Sequence, residues 1–275
     1  MSLVSVIIPT HNYGQYISDA LESVFSQTYR NIEVIVVDDG STDNTRAIVE
    51  KYANVRYFFQ EHIGHPTPAR AINTGIKLSK GEYIVVLAAD DRIRPRYIER
   101  CLGIVQTNPK VGLVWTGSLY FGSDTKRLIG SVMPITKNPI ALSSPFTKLN
   151  GAIGSGLIPK RVYDVVGLYD ENLISAEDVD MCIRILMHHW KARGICELLH
   201  EYRMHELNDT RPLKRLGLEQ LYRKYPLMRP FRTLNGFSIR VYRFFRHPKY
   251  TARKVQQKLY VRINQASSNS PNVSM

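Results

Sequence analysis

Three pairs of adjacent acids, Asp38-Asp39, Asp90-Asp91 and Glu177-Asp178, carry most of the chemistry this chain can offer. Asp90-Asp91 directly follows the apolar run Tyr83 to Ala89. Such a run reads as a buried strand of a parallel sheet, and open α/β sheets bind their ligands where such strands end. Two neighbouring carboxylates repel unless a cation sits beside them. The natural candidate is Mg²⁺ or Mn²⁺ carrying a phosphorylated substrate, because these ions favour carboxylate oxygens and substrate phosphates. Asp38-Asp39 ends another apolar run, Ile32 to Val37. A carboxylate there can accept from a ribose hydroxyl or a base N–H, or it can cap the following turn through Ser41 or Thr42. Ser175-Ala176-Glu177-Asp178 has the order of a capping box opening a helix. An acid near that helix start is stabilised as an anion, and Asp178 can there act as base toward a hydroxyl. Asp180 and Arg184, four apart, read as an intrahelical pair. His205 follows a strand and can add an imidazole nitrogen to a metal site.

The elements that must position these groups alternate. Strands are predicted at Leu3–Pro9, Ile32–Val37, Val55–Phe59, from Tyr83, at Val111–Trp115 and at Ile195–Glu201. Helices are predicted at Tyr16–Ser26, Thr45–Tyr52, Ala69–Leu78, Arg96–Gln106 and Glu177–His188, with order also returning at Lys160–Val166. This alternation specifies βαβ units and a mostly parallel sheet flanked by helices. Gly122 to Ser155 is irregular and reads as loops over the sheet edge. The cluster Gly151, Gly154 and Gly156 is not in the register of a dinucleotide fingerprint.

The chain has 275 residues and a net charge of +13. From Arg211 onward lie 15 of the 37 basic residues and one of the 24 acids, so the first 210 residues are near neutral. The division read from this is a body over 1–210, a basic helical extension over 211–264 and a disordered polar tail over 265–275. Arg240, Arg243 and Arg246 interleave with Phe237, Tyr242, Phe244 and Phe245. That pattern suits an anionic membrane surface, or a helix packed on the body with a solvated basic face. Nucleic acid is not expected, because no recognition motif accompanies the charge. Three scattered cysteines give neither a zinc site nor a disulfide framework. With no basic leader before the first strand, the expected location is cytoplasmic, peripheral on the cytoplasmic membrane.

Five motifs in order, Val4-Ser5-Val6-Ile7-Ile8-Pro9-Thr10-His11-Asn12, Val36-Val37-Asp38-Asp39-Gly40-Ser41, Ala71-Ile72-Asn73-Thr74-Gly75, Gly81-Glu82-Tyr83-Ile84 with Ala89-Asp90-Asp91, and Glu177-Asp178-Val179-Asp180, closely resemble family 2 glycosyltransferases of the GT-A (Rossmann-like) fold. The resemblance implies inverting transfer of a sugar from a nucleotide-diphosphate donor, usually UDP-linked, to a glycan or lipid-linked acceptor in cell-surface polysaccharide or glycolipid synthesis. It implies that Pro9 and His11 line the nucleotide pocket and that Asp39, with Asp38, holds base and ribose. It further places Arg70 by the nucleotide, Asp90 near ribose and sugar, and Asp91 with His205 on Mn²⁺ or Mg²⁺. Asp178 would be the general base, with Glu177 second. His11 stands where the family often has tyrosine, and Ala88-Ala89 replaces the commoner Asp-Ala. The alternatives are a catalytically inactive nucleotide-sugar-binding module and a sugar nucleotidyltransferase, whose glycine-rich basic N-terminal signature is missing.

Overall fold

The computed structural model describes residues 1–64, 68–122, 155–205 and 211–225. Among these residues eight strands form one sheet: β1 (Val4–Thr10), β2 (Ile32–Asp39), β3 (Val55–Gln60), β4 (Tyr83–Val86), β5 (Arg92–Ile93), β6 (Val111–Gly122), β7 (Leu157–Pro159) and β8 (Lys191–Met204). Their order is β3-β2-β1-β4-β7-β6-β8-β5. β3, β2, β1 and β4 run parallel, and β6 and β8 are parallel to each other. β7 lies antiparallel between β4 and β6, so β6 and β8 point the same way as β4. The expected α/β sheet is present, but its second half is mixed.

Among the described residues seven helices accompany it: α1 (Gly14–Phe25), α2 (Thr45–Val49), α3 (Ala69–Leu78), α4 (Tyr97–Thr107), α5 (Lys160–Val166), α6 (Glu177–Met187) and α7 (Arg211–Lys224). β1 shows why the sheet is covered on both faces. Val4, Val6 and Ile8 pack with Ile17 and Leu21 of α1 and Ile98 of α4. Ile7 points the other way, among Ile72 and Ile76 of α3, Val162 of α5 and Ile185 of α6. Alternate residues of a strand face opposite sides, so a strand buried on both must be apolar throughout.

Two short strands, β5 and β7, were not legible as strands. β6 and β8 also run further than the apolar patterns Val111–Trp115 and Ile195–Glu201. Their extra length comes from pairing with each other, from Gly117 with Leu198 to Gly122 with Met204. The basic segment begins as a helix, α7, and residues Met1–Leu221 form one compact unit. The loops expected over Gly122–Ser155 lie, from 123 to 154, outside the described residues, as do the Arg240–Arg246 pattern and the polar tail. No described helix is long and apolar enough to cross a membrane.

The chain runs from β1 to β2 and β3 on one side, then returns to β4 on the other. The crevice outside the carboxyl ends of β1 and β4 is therefore the topological switch point, the place where such sheets take ligands. His11 follows β1, Asp39 ends β2, Asp90 and Asp91 follow β4, and His205 follows β8, all on that edge.

Candidate active site

At the β2 end the two aspartates divide their roles. Asp38 is fully buried; its Oδ1 accepts the Ser41 amide at 2.7 Å and its Oδ2 the Tyr57 hydroxyl at 2.7 Å. These two bonds hold the turn together and occupy both carboxylate oxygens of Asp38, the residue expected to stand beside Asp39 at the nucleotide. Asp39 faces the crevice. Its Oδ1 accepts Gln60 Nε2 at 2.5 Å and Arg70 Nη1 at 3.3 Å, and its Oδ2 accepts His62 Nδ1 at 2.6 Å. His11 donates from Nδ1 to the Asp39 carbonyl at 2.7 Å, and its ring stacks on His62 at 4.4 Å between centroids. Pro9 is buried in β1, opposite Val37, and sets the strand from which His11 emerges. Asn12, in the left-handed region at φ 58°, accepts the Thr42 amide at 2.8 Å, tying the β1 and β2 turns together.

At the β4 end the two aspartates also part. Asp91 is buried, and its carboxylate is held by His200 Nε2 at 3.1 Å and by the Arg203 amide at 2.9 Å. His200 is itself enclosed, with Ser118 Oγ at 2.9 Å and Ser155 Oγ at 3.0 Å. Asp90 Oδ2 instead lies 3.0 Å from His205 Nε2. The sequence reading joined His205 to Asp91; the structure joins it to Asp90, because β8 brings His200 against Asp91 first. Burial, and then the charge of Asp91, push the Asp90 carboxyl above its ordinary value. Burial, and then the charge of Asp90, raise the Tyr13 phenol. Tyr16 lies against the His205 ring at 4.8 Å. Arg203 donates from Nε to the Asp90 carbonyl at 2.8 Å, lies over the rings of Tyr16 and Phe121, and binds Asp19.

Among the described residues no three His, Cys, Asp or Glu side chains converge on one point. A carboxylate oxygen and an imidazole nitrogen, with Asp91 behind them, nevertheless form a donor pair that fits Mn²⁺ or Mg²⁺ when substrate phosphates and water complete the shell.

Glu177 and Asp178 open α6. The N-cap is Ala176, at φ 64°, with no side-chain cap, so the predicted capping box does not form. An alanine in the left-handed region is strained by about 1 kcal/mol. Asp178 Oδ1 accepts the Val179 amide at 2.8 Å. Burial, then the neighbouring Asp178, lift the half-buried Glu177 carboxyl to about 7. Asp180 is buried against Arg184 at 2.8 Å, the structural pair its spacing specifies. Because α6 leads into the start of β8, its N-terminus lies toward the strand ends that carry Asp90. Asn73 of α3 fastens the approach to it, bonding Tyr169 through its amide nitrogen and oxygen, each at 2.9 Å.

Sequence reasoning missed His200, Arg203, His62, Gln60, Tyr13 and Tyr16. The first two had a signal: a strand continued past Glu201 puts His200 and Tyr202 on one face and Glu201 and Arg203 on the other.

The sequence model described as Glycosyl transferase family 2 matches residues 5–163. The chain belongs to glycosyl transferase family 2. An uncharacterized glycosyltransferase of Rickettsia typhi is 35% identical to this family 2 chain over 195 residues, 67% of this chain and 58% of that protein. Chondroitin synthase of Escherichia coli is 31% identical over 191 residues, 66% of this chain and 26% of the synthase. The chain thus spans 58% or less of either relative. Among solved structures, S. aureus TarS 1-349 in complex with UDP-GlcNAc superposes with a TM-score of 0.61 at 22% identity, over 74% of this chain and 59% of that one. The mannosyltransferase PcManGT from Pyrobaculum calidifontis, in complex with GDP-Man and Mn²⁺, gives 0.57 at 21% identity, over 75% and 58%. At these identities the likeness is one of fold, and it agrees with the GT-A architecture expected of this family 2 chain.

Proposed function

We propose that this chain transfers a sugar, with inversion, from a nucleoside-diphosphate donor to a hydroxyl of a glycan or lipid-linked acceptor. UDP is the favoured carrier. The observation that supports the reading is where the acids stand in the fold: Asp39 ends β2, Asp90 follows β4 and bonds His205 at the end of β8, and Glu177-Asp178 open α6. Two family-fold neighbours bind nucleotide sugars, UDP-GlcNAc and GDP-Man, which supports the donor class.

On this reading Asp39 and Arg70 take the base and ribose. Mn²⁺ or Mg²⁺, held by Asp90 and His205, would supply positive charge to the departing diphosphate. Asp91, fixed by His200 and the Arg203 amide, keeps negative charge behind that pair without being spent on it. The acceptor oxygen attacks the anomeric carbon as the bond to the diphosphate oxygen breaks. Its proton passes to Asp178, beside Glu177, whose carboxyl burial and the Asp178 charge lift to about 7. One base and one displacement invert the centre; retention requires a second carboxylate as nucleophile.

The basic segment from α7 onward is assigned to peripheral attachment on an anionic leaflet, which would bring the crevice to a lipid-linked acceptor. Asp178→Asn tests the chemical assignment. Donor binding should persist while nucleotide release in the presence of acceptor falls by about 10²–10⁴, the range for losing a general base. Unchanged turnover would remove Asp178 from that role.

A further inference from the structure

The place where a nucleobase would sit is filled by a residue of the chain itself. His62 presents a flat ring to His11, at 4.4 Å and 23° between planes, and a ring N–H to Asp39 Oδ2 at 2.6 Å. A flat ring with an N–H is also what a pyrimidine base offers. The fit is built into the backbone. Gly40 has φ +79°, and a Cβ there would fall 2.7 Å from His62 Cβ and 2.8 Å from its amide nitrogen. Only glycine lets the chain at His62 come this close. The other partners of Asp39 are fixed from behind: Gln60 Oε1 accepts from Thr74 at 2.8 Å, and Arg70 donates to the Glu61 carbonyl at 2.6 Å. His62 differs from them. Its side chain is 33% exposed, and among the described residues its ring is held by His11 and Asp39 alone. Two residues on, Gly64 lies at φ +75°, and among the described residues nothing stands within 4 Å of where its Cβ would be.

We infer that His62 is a built-in competitor for the nucleobase: it must leave the His11 face and the Asp39 carboxylate before donor binds, and it returns when the spent nucleotide leaves. The inference rests on the reading of His11 and Asp39 as the base site. Competition of this kind lowers apparent affinity by the fraction of molecules in which the slot is open. It also sets which bases enter, since a base must replace a ring N–H given to Asp39 and a face given to His11.

The test is calorimetric titration of UDP into the wild type and His62→Ala, with Mn²⁺ present. His62 lies on an exposed turn, so the variant retains the core. The expected result is tighter UDP binding by about tenfold, the factor carried by one hydrogen bond to a charged group. Equal or weaker binding in His62→Ala would overturn the competitor and make His62 a bystander or a contact of the bound base. Failure of both proteins to bind UDP, GDP or dTDP would overturn the base site itself, and the competitor with it. As a second readout, the His62 ring resonances should move on saturation with UDP to those of a solvent-exposed imidazole. An unchanged His62 signal in a nucleotide-saturated sample would equally overturn the proposal.

Discussion

His205 Nε2 lies 3.0 Å from Asp90 Oδ2, while Asp91, one residue on, is bonded to His200 and the Arg203 amide. Adjacent acids of the same type therefore do different work. Asp91 is bonded on both oxygens; Asp90 is desolvated and held above its ordinary pKa. Asp91→Asn should lower unfolding free energy by about 1–3 kcal/mol, the cost of disturbing buried charge-assisted bonds. Asp90→Asn should leave stability unchanged or raise it, since it removes a carboxylate whose ionisation folding disfavours. Urea unfolding of both at pH 7 checks this; the reverse order would contradict the assignment.

The Glu177-Asp178 pair should write itself into the pH profile. Glu177 is raised to about 7, first by burial and then by Asp178. The rising limb of turnover is expected near that value, and Glu177→Gln should move it to lower pH by removing the like charge beside Asp178. Stability runs the other way. A carboxyl whose folded pKa lies above its unfolded value contributes fully below about 4.5, and the contribution is lost as pH rises through about 7. Glu177→Gln should thus gain stability relative to wild type between pH 5 and pH 8. A rising limb that stays in place would dissociate Glu177 from the base.

Tyr57 binds Asp38 from the neighbouring strand at 2.7 Å. Tyr57→Phe should cost about 1 kcal/mol in stability and leave UDP affinity within about twofold. A large loss of affinity with unchanged stability would return Asp38 to the nucleotide site.

The charge asymmetry predicts salt-sensitive attachment to membranes. The full chain should sediment with vesicles containing phosphatidylserine at low salt and be released at high salt, because screening removes surface attraction. Equal recovery from neutral and anionic vesicles would contradict it.

Much of this site was legible because strand ends in a parallel sheet announce themselves. The apolar runs before Asp38 and Asp90 fix where the chain leaves the sheet, and both lie on the ligand edge as read. What the chain pattern could not supply was direction. Asp38 and Asp39 differ only in which face of β2 they occupy, and that is decided by Tyr57 arriving from β3. The pairing of His205 with Asp90 depends on β8 running to Met204, through residues with no apolar alternation, held there by β6. The capping box failed for a local reason: Ala176, not Ser175, occupies the cap, in a backbone conformation that composition does not reveal. β5 and β7, two and three residues long, carry no period to detect.

The most direct test of the account is calorimetric titration of UDP into wild type, His205→Ala and Asp178→Asn, each with and without Mn²⁺. Wild type should bind more tightly with Mn²⁺ than without it. His205→Ala should lose the Mn²⁺ enhancement, and Asp178→Asn should keep it. An enhancement that survives in His205→Ala, or disappears in Asp178→Asn, would contradict the division of the crevice into a donor-holding pair at Asp90 and His205 and a base at Asp178.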